Sequence, residues 1–494
     1  MSPRGHPWTP ERSAGPAAFF DPAIGVAAAW DVWVTLHAGP AHVERLARGR
    51  LHELVAFARE RSPFYRGLYR GLPADDLDLS RLPVVTKHTL MEQFDQCVTD
   101  PAVTYRKLRG FLADPTLIGR PFLGRYAVWT TSGTTGEPGI FLHDGRALSV
   151  YDALEMVRFR RLTSTPALVT AAMANDRYAL LAATGGHFAG YATLERLCRL
   201  YPWVAAHSRV FSIVDSIAST VARLNAFQPT LLATYPTAAS LLAEEQAAGR
   251  LALRLREIWT GGECLSEAQR AQLTEVFGCR VRDGYGASEC LSIAWDCGHG
   301  ALHLNSDWIV LEPVDESLQP VPTGVPSHSV LLTNLANRVQ PLIRYDLGDS
   351  VTLLDAPCAC GSVFPALRVA GRADDVIAVQ DASGRAVKLI PLALTTVIED
   401  EAGVYRFQLL QEGPAALRLR LDPAQADAAK AQRCREALER FMRVQGVSNV
   451  VLEVERCDLQ PHPVSGKLRR VIAQRAIRGR ARAYTDRPAR AADS

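Results

Sequence analysis

The feature that most constrains this chain is an alternation, between about residues 125 and 370, of short apolar runs with amphipathic stretches. The runs are YAVWTT (126–131), ALVTAAM (167–173), LLATY (231–235), LREIWTG (255–261), CRVRDGYG (279–286), SVLLTNL (329–335) and PLIRYDLGD (341–349). Between them, segments 215–227, 237–248 and 266–277 carry apolar residues at helical spacing. A chain that switches repeatedly between these two periods must stack helices on a sheet, so the pattern predicts α/β layers. The stretch 302–354 is strand-rich without helices, which predicts a local β subdomain.

Upstream, residues 1–20 read as a loose arm and 40–71 as helix, with Val43, Leu46, Leu51, Leu54, Val55, Phe57 and Ala58 in register, until SPFYRGLYRGLP breaks the pattern with Pro63, Gly67 and Gly71. LPVVTK (82–87) reads as a short strand or entry segment. The pattern changes again at AGRADD (370–375). Beyond it the sequence predicts a turn at Asp381–Gly384, a helix (390–402), strands at 405–411 and 415–421, a helix (423–444) and a strand (449–455). That is a small α+β unit of its own. The boundaries are therefore 1–370 for a large N-terminal domain, 371–375 for a hinge and 376–494 for a small C-terminal domain.

At roughly 100–200 residues per domain, 494 residues suggest two to four folded units. With 48% hydrophobic and 22% charged residues, global disorder is excluded. Lys plus Arg number 55 and Asp plus Glu 52, a net charge of +3 that gives no electrostatic case for nucleic acid. The arginines near the end (Arg475 to Arg490) read as a solvated tail. Residues 1–16 lack the apolar core of a secretory signal, and Pro22 to Leu36, interrupted by Asp31, is too short to span a bilayer. Ten cysteines are too few for a disulfide scaffold. The expectation is a soluble cytoplasmic protein with reduced thiols and no membrane partner.

Five strings carry polar chemistry. TTSGTTGEPG (130–139) packs three glycines and five hydroxyl residues after a strand. Such a loop either cradles a phosphate with backbone N–H groups and hydroxyls or is a plain surface turn. It is no Walker A loop, since no Gly-Lys-Ser/Thr follows. DGYGASE (283–289) offers Tyr285 to stack on a flat ring and Glu289 to hold a cation. In RYDLGD (344–349), Asp349 either accepts two ribose hydroxyls or caps a turn. GRADD (371–375) sits at the domain boundary. HPVSGKLRR (462–470) places Lys467 beside a glycine, where it either reaches outward to act or is merely solvated.

Taken together and in this order, the five strings resemble the acyl-adenylate-forming superfamily of acyl-CoA ligases, adenylation domains and luciferases, from about residue 45 to 475. LVAFARERSPFYRGLY (54–69), YPT (235–237), TGGE (260–263) and GALHLNSDW (300–308) are similar to the phenylacetate–CoA ligase branch.

The resemblance implies a large N-terminal α/β adenylate-forming domain with a β subdomain, a small mobile C-terminal α+β domain, and a cleft site between them. It implies that ATP and a carboxylate give acyl-AMP and pyrophosphate, and that the acyl group then passes to CoA. Thr131, Ser132, Gly133, Thr134, Thr135 and Gly136 would hold the β- and γ-phosphates. Gly262 and Glu263 would line the adenine site, with Tyr285 on the ring. Ser288 would touch the α-phosphate, Glu289 would hold Mg²⁺, and Asp349, with Arg372 nearby, would bind the ribose. Lys467 would bridge the carboxylate and α-phosphate, where a positioned ammonium meets growing negative charge. Asp374 would be the hinge. The chain departs from the wider superfamily where a lysine often follows the loop proline: Gly139 follows Pro138.

Cys297, His303, Cys358 and Cys360 suit a tetrahedral Zn²⁺ with no open position, and some members of the branch look similar here. Cys290 and His299 are spare candidates; the alternative is four metal-free residues. By analogy the acid pocket lies near Tyr235, Pro236, Trp259, Gly261 and Gly284, with His187 and Phe211 adding to it. Aromatic and glycine residues suit a flat ring, so an aryl or arylacetic acid is expected. Competing readings keep the adenylation but pass the acyl group to an amine or a carrier-protein thiol. Others make the chain a silent binding protein or a serine hydrolase. The last lacks a Gly-x-Ser-x-Gly elbow. Members of the branch are often dimers, so a homodimer is implied.

Overall fold

The computed structural model describes residues 21–72, 78–131, 138–159, 176–370, 376–459 and 470–473. It opens with the helix Pro22–Leu36, begun by Pro22 and capped by Asp21, whose carboxylate accepts from Ala23 N at 2.9 Å. The aspartate that interrupts this apolar helix is buried for a reason. Arg50, on the next helix Pro40–Arg61, donates to Asp31 Oδ2 at 2.6 Å and to the Asp307 carbonyl at 2.8 Å. The helical stretch 40–71 is two helices, divided at the expected break at Pro63. Pro63 disfavours helical backbone at Ser62, so one helix stops at Arg61, and Ser62 caps a second, Pro63–Leu68. LPVVTK forms only an isolated bridge, Val85 to Tyr345, before Thr86 caps the short helix Lys87–Glu92.

Strands β1 (Ala127–Thr130) and β2 (Ile140–His143) form an antiparallel hairpin around the hydroxyl-rich loop. That string thus joins strand to strand. The main sheet uses β3 (Tyr178–Ala182), β4 (Ser208–Ser212), β5 (Leu231–Thr234), β6 (Glu257–Thr260), β7 (Arg280–Ala287), β8 (Cys290–Asp296), β9 (Leu302–Leu304), β13 (Ser350–Leu353) and β14 (Ala366–Ala370). Among the described residues its order is β13-β14-β9-β8-β7-β6-β5-β3-β4. The expected strand at 167–173 falls outside the described residues.

Strands β4, β3, β5, β6 and β7 pair in parallel, because a helix crosses over between successive members. Strand β7 is the seam. Its first half pairs parallel with β6 up to Asp283, and from Gly284 it pairs antiparallel with β8. The DGYGASE string therefore lies where two sheet types meet, at the carboxyl ends of the parallel strands, where open α/β sheets bind ligands.

On one face of this sheet Ala179, Leu181, Leu232 and Ile258 join the helices Ile217–Phe227 and Pro236–Ala247 in a core that continues into the C-terminal unit. Each fully buried Leu or Ile there contributes roughly 1.5–3 kcal/mol. The β subdomain holds β10 (Ile309–Val314), β11 (Ser329–Asn334) and the two-residue β12 (Tyr345–Asp346) in a separate sheet.

The C-terminal unit comprises a hairpin of β15 (Ile377–Gln380) and β16 (Ala386–Leu389), the helices Pro391–Ala402 and Ala428–Val444, and four strands: β17 (Phe407–Gly413), β18 (Ala416–Leu421), β19 (Val451–Arg456) and β20 (Val471–Ile472). The strand order is β19-β18-β17-β20. Beyond the shared core, the Gln445 amide donates to the Val214 carbonyl at 2.9 Å, and Lys388 pairs with Glu244. No described helix is long and apolar enough to cross a membrane.

Candidate active site

The carboxyl ends of β3, β5, β6 and β7 open into a cavity of about 2760 Å³, which Thr395, Thr396 and Arg470 of the C-terminal unit also line. Thr131, Gly261, Gly262, Glu263, Gly284, Tyr285, Ser288, Glu289, Asp349, Tyr235 and Trp259 all line it. Ser132 to Gly136, Arg372, Asp374 and Lys467 lie outside the described residues. Pro236, expected in the acid pocket, is instead the first residue of its helix and does not line the cavity. Phe211 faces the opposite side of the sheet, in the core. His187 packs its ring on Phe111 at 5.3 Å, outside the cavity.

The glycines of these loops are dictated by space. Gly262 has φ +77°, and a Cβ there would sit 3.0 Å from the Tyr235 ring. At Gly286 a Cβ would lie 1.9 Å from the Leu291 carbonyl, which no side chain tolerates.

The polar residues are held by named partners. The Tyr285 hydroxyl donates to Asp349 Oδ2 at 2.9 Å. The Tyr345 hydroxyl donates to Glu289 Oε1 at 3.0 Å. Burial pushes the Glu289 carboxyl up to about 7, an effect partly offset by its hydrogen bonds and the Lys87 ammonium. Ser288 Oγ donates to the Thr130 carbonyl at 3.0 Å, which ties its turn to the hydroxyl-rich hairpin. At the neck of that hairpin Thr131 N donates to the Gly139 carbonyl at 3.0 Å, and Gly139 N donates to Thr131 Oγ1 at 2.9 Å. The Glu263 carboxylate accepts from Thr237 N and Thr237 Oγ1, both at 3.0 Å.

Below these loops the cavity wall is aromatic. Trp259 meets Phe159 edge-on at 5.5 Å and lies 5.6 Å from Tyr178. A Cβ on Gly284 would approach the Phe159 ring to 3.2 Å, so the missing side chain is what admits that ring. Asp283 beneath accepts from Thr260 Oγ1 at 2.7 Å.

Several residues here gave no signal in sequence. Lys87 lines the cavity and acts electrostatically on both Glu289 and Glu399; a lone lysine at a capped helix start looks solvated. Arg158 is fully buried and grips Asp307 with two hydrogen bonds of 2.7 and 2.8 Å. Arg470, three residues beyond Lys467, is buried against Glu399.

Cys297, His303, Cys358 and Cys360 come together with all four ligand atoms within 4.8 Å of one another. The Cys297 and Cys358 sulfurs are 3.5 Å apart, and Cys360 Sγ lies 3.2 Å from His303 Nε2. A tetrahedral site with metal–sulfur bonds of about 2.3 Å spaces its sulfurs at roughly 3.8 Å. His303 Nδ1 is 2.7 Å from the Phe364 carbonyl, a contact that places the proton there and turns the Nε2 lone pair inward. The donor set thus fits zinc. Cys290 lies apart, buried beside Tyr151, and His299 Nδ1 lies 3.2 Å from the Cys297 carbonyl rather than in the cluster. None of the ten cysteines, all among the described residues, is in a disulfide.

A family model described as AMP-binding enzyme matches residues 126–328. A phenylacetate–coenzyme A ligase of Thermus thermophilus is 26% identical over 451 residues, or 86% of this chain and 88% of that one. Among solved structures, a 2-hydroxyisobutyryl-CoA ligase with 2-HIB-AMP and CoA in its thioesterification state matches with a TM-score of 0.56 at 22% identity, covering 91% of this chain and 94% of the other. The same ligase in its postadenylation state matches with a TM-score of 0.52 at 21% identity, covering 92% and 94%.

Proposed function

This chain belongs to the acyl-adenylate-forming superfamily, and on that premise we propose that it activates an aryl or arylacetic acid as acyl-AMP and transfers the acyl group to coenzyme A. The observation that carries the reading is the meeting of Tyr285, Asp349, Ser288 and Glu289 in one cavity, above an aromatic wall. The name of the Thermus relative points to the same acid class.

In this reading Tyr285, fixed by Asp349, covers the adenine, and the second Asp349 oxygen takes the ribose hydroxyls. Glu289 would hold Mg²⁺, whose charge would neutralise the phosphates as pyrophosphate departs. The carboxylate oxygen attacks the α-phosphorus, the bond to the bridging oxygen breaks, and pyrophosphate leaves. Lys467 would stabilise the charge that grows on the α-phosphate oxygens. The CoA thiol then attacks the acyl carbon, its proton is lost, and AMP leaves. Residues 1–370 and 376–494 would act as separate domains about a hinge at Asp374.

Lys87 fills a gap in this scheme. A Cβ at Gly139 would sit 2.6 Å from the Phe141 ring and 3.1 Å from Thr131 Oγ1, so a lysine at this position would have to displace that ring. Lys87 reaches the same cavity from a distant helix and would face the β- and γ-phosphates instead. The four-ligand cluster would hold a structural Zn²⁺, because its protein ligands leave no position for substrate.

Acid-dependent ATP–pyrophosphate exchange, run without CoA over benzoic, hydroxybenzoic, aminobenzoic, arylacetic and short aliphatic acids, tests the reading. Exchange with ring acids alone supports it. Exchange only with aliphatic acids would overturn the acid class, and an acyl-AMP that reacts with amines or a carrier thiol but not with CoA would overturn the acceptor.

A further inference from the structure

His143 ends β2, where sequence reading assigned it no part, and it is fully buried. Its ring packs on Trp129 with centroids 3.9 Å apart and the planes tilted by 34°. The hydrogen bonds around it have one consistent direction. The Asn334 amide accepts from Ala336 N at 3.1 Å through Oδ1, which fixes Nδ2 as the donor end. Nδ2 then donates to the Tyr151 hydroxyl at 2.7 Å and to the Glu289 carbonyl at 3.1 Å. The Tyr151 hydroxyl lies 3.2 Å from His143 Nδ1. With Nδ1 as acceptor, Nε2 carries the proton and donates to the Ser288 carbonyl at 2.9 Å. Three side chains from β2, the helix Gly145–Leu154 and β11 thus run from one carbonyl of the β7–β8 turn to the next. Burial keeps the imidazole neutral, its pKa lowered to about 3, so the donor persists across the physiological range.

We propose that His143, with Tyr151 and Asn334, is a positioning residue that fixes the Ser288–Glu289 turn, and through it the groups facing the α-phosphate and Mg²⁺. None of the three lies in the motifs that identify the site. The inference rests on the nucleotide assignment made above for Ser288 and Glu289. It assigns the set no proton transfer: a buried neutral ring whose two nitrogens both have protein partners has no free face for substrate.

The test is ATP binding without acid, titrated against Mg²⁺, in the full-length protein and its His143→Gln, His143→Leu and Tyr151→Phe variants, alongside thermal melting. Gln retains a donor within reach of the Ser288 carbonyl; Leu keeps similar volume without one. The expected result is a rise of about tenfold or more in the Mg²⁺ concentration needed for half-maximal ATP binding in His143→Leu, a smaller rise in Tyr151→Phe, and near-native behaviour in His143→Gln. A folded His143→Leu with an unchanged Mg²⁺ requirement would overturn the proposal, and so would equal losses in the Leu and Gln variants. If His143→Leu fails to fold, the comparison of Tyr151→Phe with wild type decides in the same terms. Wild-type protein that binds no Mg·ATP would instead overturn the nucleotide assignment itself.

Discussion

Tyr285 and Asp349 are 64 residues apart, yet the phenol donates to Asp349 Oδ2 at 2.9 Å within one cavity. The contact couples the residue assigned to the adenine with the one assigned to the ribose. A hydrogen bond to a charged acceptor contributes roughly 1.5–3 kcal/mol. Tyr285→Phe is therefore expected to raise the KM for ATP by about tenfold or more in pyrophosphate exchange. Because the two act as one unit, Tyr285→Phe combined with Asp349→Ala should cost less than the product of the single effects. A fully multiplicative double variant would show that the contact plays no part.

Lys87→Ala separates phosphate from nucleoside recognition. If the ammonium faces the β- and γ-phosphates, the variant should bind ATP about tenfold more weakly, a loss of roughly 1.4 kcal/mol, while its affinity for AMP stays unchanged. Equilibrium binding of both nucleotides decides the matter. Equal weakening for ATP and AMP would place the effect in the fold.

The thiolate cluster makes a prediction about composition as well as stability. Inductively coupled plasma analysis of the purified protein should find close to one zinc per chain. Cys360→Ser should lower that content and lower Tm by several degrees, since loss of a structural metal removes folding energy directly. A native protein with well under one zinc per chain would reject the site.

Asp283 gives a pH-dependent prediction. Burial raises its carboxyl to about 6, with the Thr260 hydrogen bond and Arg270 opposing the shift and Asp296 adding to it. The folded value lies above the unfolded one. Below about pH 4 both states hold the proton; as pH rises from about 4 to 6 the unfolded chain releases it first, and the folded state loses relative stability. Above about 6 the penalty is constant. Asp283→Asn keeps an acceptor for Thr260, so it should raise stability at pH 8 by about 1 kcal/mol, or roughly 1–3 °C in Tm. That gain should vanish at pH 4. A gain of the same size at both pH values would rule out the charge as its source.

The layered architecture was legible because its causes are local. Runs such as LLATY and LREIWTG became β5 and β6, and the helices expected at 390–402 and 423–444 are present as Pro391–Ala402 and Ala428–Val444. Errors arose where tertiary placement decided the outcome. Pro236 and Phe211 were placed in the acid pocket by analogy; Phe211 falls on the far face of its strand because alternate strand residues face opposite sides of the sheet, and Pro236 starts a helix without lining the cavity.

What the sequence determined by itself is the chemistry each loop carries and the glycines that let it approach closely: Gly262 at positive φ and Gly286 against the Leu291 carbonyl admit no side chain. Only the tertiary structure decided which of those loops face one another. It set Lys87 beside Glu289, joined Cys297 to Cys358 across 61 residues, and placed His143 under Ser288, 145 residues away. The physical reason is that periodicity and turn chemistry report which side of an element is buried. Which two buried sides meet depends on the packing of the whole core, and no local stretch of residues carries that information.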